Sequence, residues 1–80
     1  MYYAYFIKSI AHDYFYKGHC ADVDKRLKQH NSGSTVSIRP YLPFQIVYTE
    51  VFETEAEAIA REKYFKSSAG RRFLKNLLGP

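Results

Sequence analysis

The chain opens with a run of aromatic and branched residues, Tyr2 to Ile10, that predicts a β-strand. Polar His12 and Asp13 interrupt it, and Tyr14 to Lys17 predicts a second strand, so the two read as a hairpin. The two-residue period of strand side chains sets Tyr3, Tyr5 and Ile7 on one face, and Tyr14 with Tyr16 on one face of the next strand. Gly18 is expected to end that strand. Asp22 then caps a helix running to about Asn31, with Val23 and Leu27 as its buried stripe and Arg26 and His30, four apart, as an exposed polar row. Residues 31–44, with Gly33, Pro40 and Pro43, read as a loop of the length that often carries function. Gln45 to Phe52 predicts a third strand, and Thr54 with Glu57 forms a capping box that opens a helix through about Ser67. Ala56, Ile59, Ala60 and Tyr64 follow a core-facing period, which sets Glu62 away from the core. Gly70 breaks the pattern, and Arg71 to Leu78 predicts a last short helix anchored by Phe73, Leu74 and Leu77. The order strand, strand, helix, strand, helix, helix gives an α/β fold, a small three-stranded sheet flanked by helices.

Composition narrows the class. Eighty residues, 46% hydrophobic and 25% charged, describe one folded domain over 1–80 rather than a disordered chain. Eight Tyr and six Phe make aromatic packing a large share of the core. The net charge of +4 suits a polyanionic partner, and its distribution says more: Arg61, Lys63, Lys66, Arg71, Arg72 and Lys75 face Glu62 alone between residues 61 and 75. A single Cys20 forms no internal disulfide, which fits a reducing compartment, and no stretch has membrane-spanning length; a cytoplasmic protein is expected.

Chemistry enters with the order of a few residues. Tyr3-Ala4-Tyr5 is followed by Tyr16-Lys17-Gly18, then by Arg26 and His30 one helical turn apart, and far downstream by Glu62. That ordered set resembles the GIY-YIG endonuclease superfamily, and most of all its small members related to the amino-terminal nuclease domain of the bacterial excision-repair incision subunit. The similarity runs from about Tyr2 to Lys75 and takes in Arg39-Pro40 and the segment from Phe44 to Glu50. Two positions depart from the pattern: Tyr3 stands where the first motif has glycine, and Lys17 where the second has an apolar residue.

The resemblance implies an antiparallel three-stranded sheet and a hydrolytic site that uses one divalent metal ion, Mg²⁺ or Mn²⁺. It assigns Tyr5, Tyr16, Arg26, His30 and Glu62 to catalysis, with Glu62 as the metal ligand and all five on one cleft. Those residue types suit phosphodiester hydrolysis on chemical grounds too. A guanidinium matches two phosphate oxygens, as Arg26 would. One carboxylate can hold a hard cation together with waters and phosphate, as Glu62 would. Either His30 or a tyrosine could take a proton from the attacking water. Lys17, Lys25, Arg39, Lys66, Arg71, Arg72 and Asn76 are the expected nucleic-acid contacts, Asn76 because the family often adds an asparagine near the domain's end. The expected function is a metal-dependent endonuclease in DNA repair or processing; DNA is favoured over RNA, although no residue distinguishes them. A partner protein for recruitment and a homodimer through the aromatic strands are further expectations, and a membrane is not. The competing reading keeps the fold and basic surface as a binding module without catalysis.

Overall fold

The first aromatic run forms strand β1 (Tyr2–Ser9), and it is the middle strand of the sheet. A computed structural model describes residues 1–79. β2 (Phe15–Cys20) and β3 (Phe44–Phe52) pair with β1 on either side, both antiparallel. Helix α1 (Val23–Asn31) follows β2, while α2 (Glu55–Lys66) and α3 (Ser68–Leu78) follow β3. The sheet with flanking helices is therefore the architecture that the hydrophobic pattern implies.

A middle strand covered on both sides needs apolar residues on both faces, and β1 supplies them from Ala4 to Ile7. Ala4 and Phe6 point toward α2 and α3, where they pack with Phe65 and Leu74. Tyr5 and Ile7 point the other way, into a second cluster with Ile38 and Phe44 that α1 closes through Val23 and Leu27. A bulge in β3 lets it serve both clusters. Tyr48 lies opposite Phe6 but Ile46 opposite Ile7, so Val47 is the extra residue and faces the first cluster with Tyr48.

Several local expectations change. β2 runs through Gly18 to Cys20 rather than ending at the glycine. Gly18 sits directly opposite Tyr5, and a Cβ there would lie 2.3 Å from the Tyr5 hydroxyl, so glycine makes room for that ring. Residues 31–44 are not plain loop: a 3₁₀ helix spans Val36–Tyr41 and buries Ile38. The Asn31 side chain pins its far end by exchanging hydrogen bonds with the backbone of Phe44, 3.1 Å to the carbonyl and 2.7 Å from the amide.

The capping box opens α2 as expected: the Thr54 hydroxyl accepts from the Glu57 amide, and the Glu57 carboxylate accepts from the Thr54 amide. Its inner face differs. Ala58 and Phe65 are buried, with Arg61 and Glu62 between them, whereas Ala56 and Ala60 are exposed. Gly70 does not break a helix; it sits in the first turn of α3, donates to the Ser67 side chain and packs against the Tyr64 carbonyl. In α3, Leu74 is buried and Phe73 half-buried, but Leu77 is exposed.

Candidate active site

Pairing register brings the motif tyrosines together. Tyr5 faces Gly18 and Ile7 faces Tyr16, so Tyr5 and Tyr16 are diagonal neighbours on one face, with ring centroids 6.4 Å apart. His30, from the last turn of α1, completes the group: its ring lies 5.9 Å from Tyr5 and 5.0 Å from Tyr16. Expected on an exposed row, His30 is instead 1% exposed, because the helix turns this residue down onto the sheet.

The protonation states follow from the surroundings. Burial pushes the Tyr5 phenol up to about 12, and the Arg26 guanidinium beside it only partly opposes that rise. At neutral pH Tyr5 is a phenol, hydrogen-bonded to His30 Nε2 at 2.8 Å, and with its oxygen beside the Arg26 guanidinium its O–H is free to donate to that nitrogen. Burial, followed by the nearby Arg26 charge, lowers the His30 pKa and keeps the imidazole neutral. With Nε2 accepting, the His30 proton belongs on Nδ1, which donates to Thr35 Oγ1 at 3.0 Å. Tyr5, His30 and Thr35 thus form a fixed relay inside the protein, while Arg26 stays exposed at its outer end.

Glu62 is placed differently. It projects from α2, on the other face of the sheet, where its two oxygens accept from His19 Nδ1 at 2.7 Å and from Lys66 Nζ at 2.9 Å. Its side chain is only 18% exposed; burial works against its charge, but the hydrogen bonds from Lys66 and His19 outweigh that and hold the carboxyl below its ordinary range. No contact joins Glu62 to Arg26 directly. Glu62 is bound instead to His19, a residue that no motif in the sequence singles out. Strand alternation aims His19 at α2, yet His19 also lines a cleft of about 460 Å³ with Cys20, Asp22, Lys25, Arg26 and Glu55. β2 is an edge strand, and of the five residues expected on one cleft only Arg26 lines this one; Tyr5, Tyr16 and His30 lie on one face of the sheet and Glu62 on the other.

Among the described residues no group of three or more His, Cys, Asp or Glu side chains gathers as a metal cage. An ionised carboxylate offers about four lone-pair positions. His19 and Lys66 occupy one on each oxygen, so Glu62 fits a hard cation that keeps most of its waters.

The expected nucleic-acid contacts scatter over the surface. Lys25 lines the cleft beside Arg26, and Lys66 is bound to Glu62. Arg39 spends its Nε on the Gly33 carbonyl. Lys17, the departure in the second motif, reaches over the Phe6 ring on the α3 side, where Arg71 stands nearby. Arg72 and Asn76 are exposed on α3, with no described side-chain contact to the site.

Fold and geometry define a class: small α/β domains with a three-stranded antiparallel sheet, paired tyrosines beside a helix-borne arginine, and a cleft at the sheet edge. The chain belongs to the GIY-YIG family, a nuclease domain family, since residues 1–76 match the sequence model described as the GIY-YIG catalytic domain. It is 36% identical over 61 residues to a UPF0213 protein of Staphylococcus saprophyticus, covering 75% of this chain and 74% of that one. A UPF0213 protein of Haloquadratum walsbyi is 33% identical over 67 residues, covering 82% and 75%. The solution NMR structure of a UPF0213 protein from Bacillus halodurans matches 98% of this chain and 85% of that one, with a TM-score of 0.55 and 32% identity. No helix among the described residues is long and apolar enough to cross a membrane.

Proposed function

We propose that this chain is a metal-dependent endonuclease that hydrolyses phosphodiester bonds in DNA, in repair or processing. The observation that carries the reading is the gathering of Tyr5, Tyr16 and His30 on one face of the sheet with Arg26 beside Tyr5, while Glu62 is hydrogen-bonded to His19, which lines a cleft with Arg26. Arg26, exposed and permanently charged, binds phosphate oxygens and stabilises the charge that builds on phosphorus. Half-buried Tyr16 orients the attacking water at the mouth of the site. As the water oxygen bonds to phosphorus and the bond to the leaving oxygen breaks, the proton of the attacking water passes through the Tyr5 hydroxyl to His30, and the leaving oxygen takes a proton from solvent. Neutral His30 is the group there able to hold the water's proton. Thr35 keeps the imidazole ring oriented. Glu62 would hold Mg²⁺ or Mn²⁺, which when bound lowers the pKa of its water and neutralises phosphate charge.

The occupation of both Glu62 oxygens by His19 and Lys66 favours a second reading, a nucleic-acid-binding module that keeps the fold without turnover. Cleavage assays separate the two. On branched, nicked and single-stranded DNA, and on RNA counterparts, the protein is expected to cut at least one DNA substrate with Mg²⁺ or Mn²⁺ and none with EDTA. Binding without cleavage across the whole panel with either metal would favour the module.

A further inference from the structure

On the α3 side of the sheet lies a second concavity, of about 330 Å³, at the small end of the range of ligand pockets. Its lining is aromatic and aliphatic: Phe6 and Phe15 stack in parallel 4.8 Å apart, and Leu74 and Leu78 face them from α3. Three cations, Lys17, Arg71 and Lys75, complete the wall. None of the three forms an ion pair with a carboxylate among the described residues, unlike Arg61 and Lys66. An apolar wall beside three unneutralised cations matches a ligand with a flat ring and an attached phosphate.

We propose that this pocket takes one unpaired nucleotide of the nucleic-acid substrate, the base against the apolar wall of Phe15, Leu74 and Leu78 and its phosphate on Lys17, Arg71 and Lys75. The inference rests on the nucleic-acid reading above, though not on catalysis. The position agrees with it. Burial, then Arg71, then Lys66 lower the Lys17 pKa, so a line of crowded positive charge runs from Lys66, which holds Glu62, to the pocket. An anion relieves that crowding, and a strand cut near Glu62 would pass its neighbouring nucleotide along the same line. A ring-and-phosphate ligand also accounts for Lys17 at a position where the family pattern has an apolar residue: its ammonium lies 5.7 Å from the Phe6 ring centroid, on the pocket wall, where it can meet phosphate.

The test is an NMR titration of the metal-free protein with deoxyadenosine 5′-monophosphate, deoxyribose 5-phosphate and inorganic phosphate. The nucleotide is expected to shift the amides of Phe15, Lys17, Leu74 and Leu78, and to bind about tenfold more tightly than the sugar phosphate because only it carries a base to stack. Leu78→Glu, at a position 42% exposed and therefore tolerant of substitution, should abolish those shifts while the remaining spectrum stays dispersed. Lys75→Glu should weaken the nucleotide without changing which residues respond. Equal affinity for all three phosphates, or shifts confined to Lys25 and Arg26, would overturn the proposal, as would a fatty carboxylate that binds the pocket more tightly than the nucleotide. Nucleotide binding here by a protein that cuts nothing would uphold the pocket and remove only the catalytic reading.

Discussion

Tyr5 shows how tightly one side chain is specified. It is 2% exposed, lies across Gly18, donates to His30, and feels Arg26 from outside. The sequence made Tyr5, Tyr16 and His30 visible as a set through motif order and the strand period. It did not reveal that His30 is buried, since an i, i+4 pair with arginine looks the same on an exposed row. Nor did it reveal His19, whose partner Glu62 is 43 residues away. The burial of His30 has a measurable consequence. Its folded pKa lies below the ordinary 6.5, so below that pH the unfolded chain binds more protons than the native one. The stability held by neutral His30 is therefore present above about pH 6.5 and lost as pH falls through the folded value. Thermal melts at pH 7.5 and 5.5 should show the protein weaker in acid, and His30→Gln, which cannot take up the extra proton, should show a smaller difference. An unchanged difference in the variant would mean that His30 is not the group responsible.

At the scale of elements, helix α2 is the instructive case. Its start was legible because a capping box is local chemistry, but its inward face was not. The stripe Ala58, Arg61, Glu62 and Phe65 has helical spacing, yet two of its four members are charged, so a count of apolar positions chooses another face. Arg61 is tolerated inside because its guanidinium lies over the rings of Tyr64, Phe65 and Phe73, 4.4 to 5.2 Å from their centroids, while pairing with Glu50 through two hydrogen bonds. Glu62, one residue on, is carried to the edge of β2 by the same turn. Helix α3 depends on the junction after α2. Gly70 is read locally as a helix breaker, but here the absent side chain is what lets the two helices meet, because a Cβ would fall 1.8 Å from the Tyr64 carbonyl oxygen. Gly70→Ala, favourable for an isolated helix, should therefore cost about 3 kcal/mol as the backbone is forced apart. Denaturant unfolding of the variant measures this, and a gain in stability would show that the α2–α3 junction has slack.

For the whole molecule, the sheet acts as a partition with an open edge. The tyrosine–histidine relay lies on the α1 face and the carboxylate on the α2 face, while His19 of edge strand β2 holds Glu62 and lines a cleft with Arg26. Strand count and order of elements were readable from periodicity, and Tyr5, Tyr16 and His30 as a set from motif order, whereas the relay through Thr35 and the assignment of α2 to the opposite face depend on how the chain folds back after α1 and crosses after β3. Such a site works as a hydrolase only if Glu62 supplies the metal to phosphate held by Arg26. The most direct measurement is therefore single-turnover cleavage by Glu62→Gln, a change that keeps side-chain size while removing the charge, alongside metal-free DNA binding by the same variant. Cleavage with Mg²⁺ or Mn²⁺ is expected to fall by about 10²-fold or more, with binding retained or strengthened as a negative charge leaves the phosphate path. Cleavage undiminished in Glu62→Gln would contradict the account, since the carboxylate bound to His19 and Lys66 would then be structural only.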